Sequence, residues 1–198
     1  MHTISTRSTV QLINRDKLSF SISTEADDFS KLNCKENDGS DPLGIDDFIH
    51  NKAKLYRKNN LSTIYAVRYE GEIIAFFTTS MGAISVEKLS KEDTVTGYTP
   101  KSYPAMLLGN MGVDSKFQKQ SVGKAICNFC LGLAQDTNQR VACAVVCLQT
   151  DKSRLKYYEE KCGFKYSKKQ DLEKKVWVYR KILDPPTFTH LVTEDWSP

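Results

Sequence analysis

Three features of this 198-residue chain point to an α/β (α+β) fold. The segment Leu107–Lys124, LLGNMGVDSKFQKQSVGK, passes from an apolar strand through a polar loop into an amphipathic helix. The run Val141–Leu148, VACAVVCL, is apolar over eight residues, which suits a strand covered on both faces. Strand-like and helix-like periods also alternate along the chain. The length is that of one domain, 1–198, large enough to bury a full core; in its tail, from about 184, Phe188, Leu191 and Trp196 offer partial order.

Residues 18–23, LSFSIS, alternate and predict a first strand. Residues 24–44 are polar and read as a loop with turns. Asp46 or Asp47 can cap a helix that runs to about Lys58 and buries Phe48, Ile49, Ala53 and Tyr56. Thr63–Tyr69 and Glu72–Ser80 flank Glu70-Gly71, which reads as a hairpin turn. A polar excursion (87–102) then leads to the strand of Met111–Val113 and to a helix carrying Ala125, Ile126, Phe129, Leu131 and Leu133. After the strand at 141–148, Asp151–Glu160 reads as a helix, and Phe164–Ser167 and Lys175–Leu183 as strands. Pro185-Pro186 ends the last of them.

Composition narrows the function classes. A chain that is 40% hydrophobic and 26% charged is an ordinary soluble globular protein. No apolar run reaches the roughly 20 residues of a membrane helix, and the first residues lack the apolar core of a secretion signal, so a cytoplasmic protein is expected. Residues 1–100 hold 12 Lys+Arg against 14 Asp+Glu, whereas residues 101–198 hold 16 against 10. The second half is thus the basic one, as suits a polyanionic ligand. Lys165, Lys168, Lys169, Lys174 and Lys175 either extend that patch towards a nucleic acid or form a solvated turn; the turn is the simpler reading. Cys127-x-x-Cys130 and Cys143-x-x-x-Cys147 fall inside a helix and a strand, not on knuckles, so no metal site and no disulfide are expected.

The loop after Val113 is the chemical centre of the sequence. Helix N-termini carry unpaired N–H groups and a positive dipole end, so a loop of small residues entering a helix can cradle phosphate. A P-loop would need an earlier glycine and a hydroxyl after the lysine, and Gly123-Lys124-Ala125 has neither. A dinucleotide fingerprint is absent as well. What remains, Gln118-x-x-Ser121-x-Gly123 preceded by Val113-Asp114, resembles motif A of the GNAT N-acetyltransferases, with Ser121 where the first glycine of that motif stands. The order of elements matches that family too. The resemblance implies a central mixed, mostly antiparallel twisted sheet, splayed into a V-shaped cleft that holds acetyl-CoA. It assigns the cofactor to Met111, Gly112 and Val113 on the strand and to Gln118, Lys119, Gln120, Ser121, Val122, Gly123 and Lys124 around the loop.

A second segment, Tyr157-Tyr158-Glu159-Glu160-Lys161-Cys162-Gly163-Phe164, resembles the family's Phe-Tyr-Glu-Lys-x-Gly-Phe with one residue added. Transfer from a thioester to an amine expels a thiolate, and a phenol nearby can protonate it. Tyr158 is the first candidate for that acid and Tyr157 the second. None of His2, His50 and His190 falls in either motif, so no base is evident; a carboxylate acting through water or selection of the neutral amine would suffice. The N–H of Val113 is expected to polarise the thioester carbonyl.

A wider likeness is to the toxin-type members of the family. It is carried by Phe29 to Cys34, Asp46 to Ala53, Asn60 to Val67, Gly71 to Ser80 and Pro104 to Gly109, whereas Asn110 stands where those proteins usually carry Arg. Those proteins acetylate the α-amine of aminoacyl-tRNA and are held by a ribbon-helix-helix antitoxin. The likeness therefore implies charged tRNA as acceptor and an antitoxin as partner. A protein or small-molecule amine remains the alternative acceptor, and a non-catalytic acetyl-CoA- or protein-binding module the alternative class. A homodimer is also compatible with the apolar tail, and no membrane partner is expected.

Overall fold

The computed structural model describes residues 13–97, 100–170 and 172–182; the apolar tail, His2 and His190 lie outside them. Strand β1 (Leu18–Ile22) is followed by a polar loop, α1 (Ile45–Asp47), one π-helical turn (Phe48–Lys52) and α2 (Ala53–Lys58). The helix is not capped by Asp46 or Asp47. Asp41 does so instead, accepting the N–H groups of Ile45 and Asp47 at 2.8 and 3.0 Å. Gly44, at φ +67°, turns the chain back so that this earlier carboxylate reaches the helix start. Asp46 turns inward and accepts the N–H of Cys34 at 2.8 Å.

Strands β2 (Thr63–Tyr69) and β3 (Glu72–Ser85) form the expected hairpin, with both Glu70 and Gly71 at positive φ. Then follow β4 (Ser102–Val113), α3 (Val122–Asn138), β5 (Val145–Asp151), α4 (Leu155–Cys162), β6 (Lys165–Tyr166) and β7 (Lys175–Lys181). Strand β5 starts four residues later than its apolar run predicts. The end of α3 claims residues 141–143: Val141 donates to the carbonyl of Thr137 at 2.8 Å, and Cys143 to the Asn138 side chain at 2.9 Å. The displaced strand puts Val145 and Cys147 on one face of the sheet, with Cys143 on the other. It also delays α4, because β5 runs on to Asp151.

Among the described residues the sheet has seven strands in the order β1-β2-β3-β4-β5-β7-β6, and β4–β5 is its parallel pair among antiparallel ones. Successive residues of β3 serve opposite faces, as the strand period demands. Phe77 stacks on Tyr65 at 4.7 Å and meets Phe129 of α3, whereas Phe76 stacks on Phe48 of the first helical segment at 6.1 Å. Helices therefore cover both faces near β3, and the core lies between them. The far end of the sheet is sealed by Ile84, Leu89, Tyr103 and Tyr179, with Tyr179 Oη donating to Asp93 at 2.8 Å.

Candidate active site

The site begins where two strands part. The parallel pairing of β4 with β5 covers Ala105–Leu107 and Val145–Cys147, although β4 continues to Val113 and β5 to Asp151. A bulge in β4 bends it away: Leu108 pairs with Thr79 and Met111 with Phe77, so Gly109 and Asn110 together face Thr78. Thr78 Oγ1 stabilises the bulge by accepting the Asn110 N–H at 2.9 Å. Gly109 is required there, since a Cβ would stand 2.6 Å from that same oxygen. The divergence opens a cavity of about 1190 Å³.

One end of the cavity is lined by the start of α3, a helix N-terminus of the kind that suits an anion. Helix α3 starts with no side-chain cap, and Ala125 N–H donates to the Ser121 carbonyl at 3.1 Å, closing its first turn. The N–H groups of Val122, Gly123 and Lys124 precede it, on residues that line the cavity. Lys119 and Ser121 sit at φ +61° and +66°, a left-handed backbone that L side chains disfavour. Of the ten residues expected to hold the cofactor, nine line the cavity: Met111, Gly112, Val113, Gln118, Lys119, Ser121, Val122, Gly123 and Lys124. Gln120 is turned away, joined to Ile13 N–H at 3.0 Å and to the Lys116 carbonyl at 3.2 Å. Gln118 has a structural role as well, donating to the carbonyls of Val113 at 3.1 Å and Lys35 at 3.2 Å. Lys161, Lys174 and Lys175 add cationic charge to the lining. Uncapped amides, small residues and lysines in a cleft of this size fit the phosphates and pantetheine arm of acetyl-CoA.

The two tyrosines take different places. Tyr157 is 37% exposed, and its hydroxyl covers Gly123, where a Cβ would lie 2.5 Å from it. Cys162 lies beside that hydroxyl, and its thiol is pulled down to about 7 by Cys127 first, then by Tyr157, Lys124 and Arg180, against its burial. Tyr158 is buried, packs edge-on against Phe164 at 5.9 Å, and lines the same cavity. Burial, chiefly, holds both phenols well above their usual pKa, with Cys162 adding at Tyr157 and Cys127 at Tyr158. Both are therefore protonated at neutral pH.

The second wall was not legible in the sequence. The loop before α1 contributes Cys34, Glu36, Ser40 and Asp41, while Asp151 and Arg154 come from the end of β5 and the start of α4. The loop is fixed to β4 by Asp114, which is buried and accepts the N–H of Asn33 at 2.9 Å, while Ser115 N–H donates to the Asn33 carbonyl at 2.7 Å. Asn33 and Asp114 stand 81 positions apart, which leaves no local signal of that contact. Burial first, then Asp46, Asp114 and Asp41, pushes the Cys34 thiol far above its usual pKa, so it supplies no thiolate nucleophile. Among the described residues, no group of His, Cys, Asp and Glu is arranged to hold a metal ion. No helix of the described residues is long and apolar enough to cross a membrane.

Comparison with known proteins agrees with this geometry. The model of the acetyltransferase (GNAT) family matches residues 28–164. No curated protein matches the chain. Among solved structures, one described as a bacterial toxin is 19% identical, covers 83% of this chain and 90% of its own, and superposes with a TM-score of 0.67. AtaT complexed with acetyl-methionyl-tRNAfMet is 14% identical, with 83% and 94% covered and a TM-score of 0.69. A tyrosine-to-phenylalanine mutant of KacT is 15% identical, with 84% and 95% covered and a TM-score of 0.67.

Proposed function

This chain belongs to the acetyltransferase (GNAT) family, and we propose that it moves the acetyl group of acetyl-CoA directly to the α-amine of aminoacyl-tRNA. The acetyltransferase activity and its donor come with the family. The acceptor is carried by one observation: AtaT, which holds acetyl-methionyl-tRNAfMet in its solved structure, shares this fold over 83% of the chain. The lysines at the cleft, Lys119, Lys124, Lys161, Lys174 and Lys175, support an acceptor with a phosphate backbone. An antitoxin partner belongs to the same proposal, since AtaT is also solved bound to the C-terminus of AtaR.

The donor supplies an activated thioester, and the chain's residues do the rest. The amides at the start of α3 and the nearby lysines would hold the phosphates, leaving the pantetheine arm to follow the free edge of β4. The Val113 N–H is assigned to the thioester carbonyl. The neutral amine attacks, the carbon–sulfur bond breaks, and a phenol gives its proton to the departing thiolate. We assign that proton to Tyr158, because the Tyr157 hydroxyl sits over Gly123 at the start of α3, where the phosphates would lie. Direct transfer is favoured over a thiol relay because Cys34, the cysteine lining the cleft, stays protonated.

Labelled acetyl-CoA offered to total charged tRNA, with deacylated tRNA in parallel, tests the acceptor. Label on charged tRNA alone is the expected result. Acetyl-CoA binding without label on either tRNA would refute this acceptor and direct the search to protein and small-molecule amines. Tyr158→Phe is expected to lower kcat about 10²-fold, the usual contribution of a positioned acid, and Tyr157→Phe to affect it less. A larger loss in Tyr157→Phe would reverse the two roles.

A further inference from the structure

The two walls of the cleft diverge beyond Leu107 and Cys147, yet they meet again at its mouth. Glu36 rides on the β4 wall. Its neighbours Asn33 and Lys35 are bound to Asp114, Ser115 and Gln118 at 2.7–3.2 Å. Arg154 belongs to the β5 wall as the N-cap residue of α4, held there by Asp151 Oδ2 at 3.5 Å. The Arg154 guanidinium pairs with the Glu36 carboxylate, 118 residues away in sequence, and both residues line the cavity. The ion pair therefore spans the mouth of the V.

Tyr158 lies four residues after Arg154, on the same face of the helix start and one turn further in. A force on Arg154 is thus a force on the register of Tyr158. We propose that Arg154 is a positioning residue: clamped between Glu36 and Asp151, it fixes the start of α4 relative to β4 and thereby aims the Tyr158 phenol into the cleft. The strut is partly exposed, at 36% and 43% for the two side chains, so it is open to solvent and to salt. The proposal rests on the acetyl-transfer role given to Tyr158 but not on the acceptor being tRNA.

The test uses the full chain, acetyl-CoA and hydroxylamine, a small nucleophile that asks for no acceptor recognition. Free thiol is followed as product, and the thermal midpoint of each variant is recorded. Glu36→Gln and Arg154→Gln are each expected to lower kcat about tenfold while the KM for acetyl-CoA stays within about twofold. Arg154→Lys, which keeps the charge facing both Glu36 and Asp151, is expected to recover part of that loss. Raising salt from 0.05 to 0.5 M should slow the wild type, by screening the pair, and leave both glutamine variants unchanged. Single variants with wild-type kcat, an Arg154→Lys variant no better than Arg154→Gln, or equal salt response in all proteins would each overturn the proposal. So would a wild type that gives no acceleration of thiol release, since an aimed phenol would then have no effect to lose. Failure of tRNA labelling alone leaves this test intact, and the two outcomes are separable.

Discussion

Ser121 holds a backbone conformation that its own side chain opposes. A left-handed residue other than glycine costs roughly 1–2 kcal/mol, and Ser121 sits at φ +66° with no cap bond to offset it. The cost is local to the turn that aims the first amides of α3 into the cleft. Ser121→Gly removes it, less the roughly 0.4–1 kcal/mol that glycine adds to the freedom of the unfolded chain. The expected net gain is a thermal midpoint higher by about 2 °C and several-fold tighter acetyl-CoA binding by calorimetry. Weaker binding in that variant would mean that the serine hydroxyl contributes to the cradle. The sequence already marked this position, because serine stood where the family motif has glycine. It did not reveal the loop role of Gln118 and Gln120, whose bonds to Lys35 and Ile13 join segments 83 and 107 residues apart.

At the scale of elements, the bulge in β4 decides whether a cleft exists. Two residues, Gly109 and Asn110, occupy the place opposite Thr78, and the strand stays with β3 there but has parted from β5. Thr78 is 1% exposed and gives Asn110 N–H its acceptor. Thr78→Val keeps the shape and strands that N–H, which costs about 1–3 kcal/mol for a buried unpaired donor. Its expected readout is a lower denaturation midpoint together with weaker acetyl-CoA binding, because the same bend positions Met111 to Val113. Loss of stability with unchanged cofactor affinity would separate the bulge from the site. Helices and strands were legible here wherever the hydrophobic period was long, as in β2, β3 and α3. The start of β5 was not, since the apolar run from Val141 gives the same pattern whether it packs as a strand or finishes a helix. The bonds from Val141 to Thr137 and from Cys143 to Asn138 made that choice.

For the molecule as a whole, the interior is rich in neutral acids that folding keeps neutral. Burial raises the Cys130 and Cys147 thiols from 9.0 to about 12, and it raises the Tyr65, Tyr158 and Tyr179 phenols as well. A group whose pKa rises on folding stabilises the fold fully below its unfolded pKa and loses that contribution as pH climbs towards the folded value. The share of the thermal midpoint owed to these raised groups is therefore expected to hold steady through neutrality and fall from about pH 9 upward. The carboxylates act at the other limit: burial raises Asp93, but hydrogen bonds from Lys165 and Tyr179 prevail and lower it, so its share of stability disappears as pH drops through that lowered value, below 3.8. A midpoint flat to pH 11 in a thermal scan would rule out the alkaline linkage. By itself the sequence determined the α/β order of elements and the hairpin at Glu70-Gly71, and it pointed to Gly123 and to the two candidate phenols, because each is written within about twenty neighbouring residues. Only the tertiary structure decided that Glu36 meets Arg154, that Asp114 holds Asn33, and that Tyr157 covers Gly123 while Tyr158 is buried against Phe164. Those contacts join segments far apart in the chain, and their partners are selected by how two diverging strands and two helices pack.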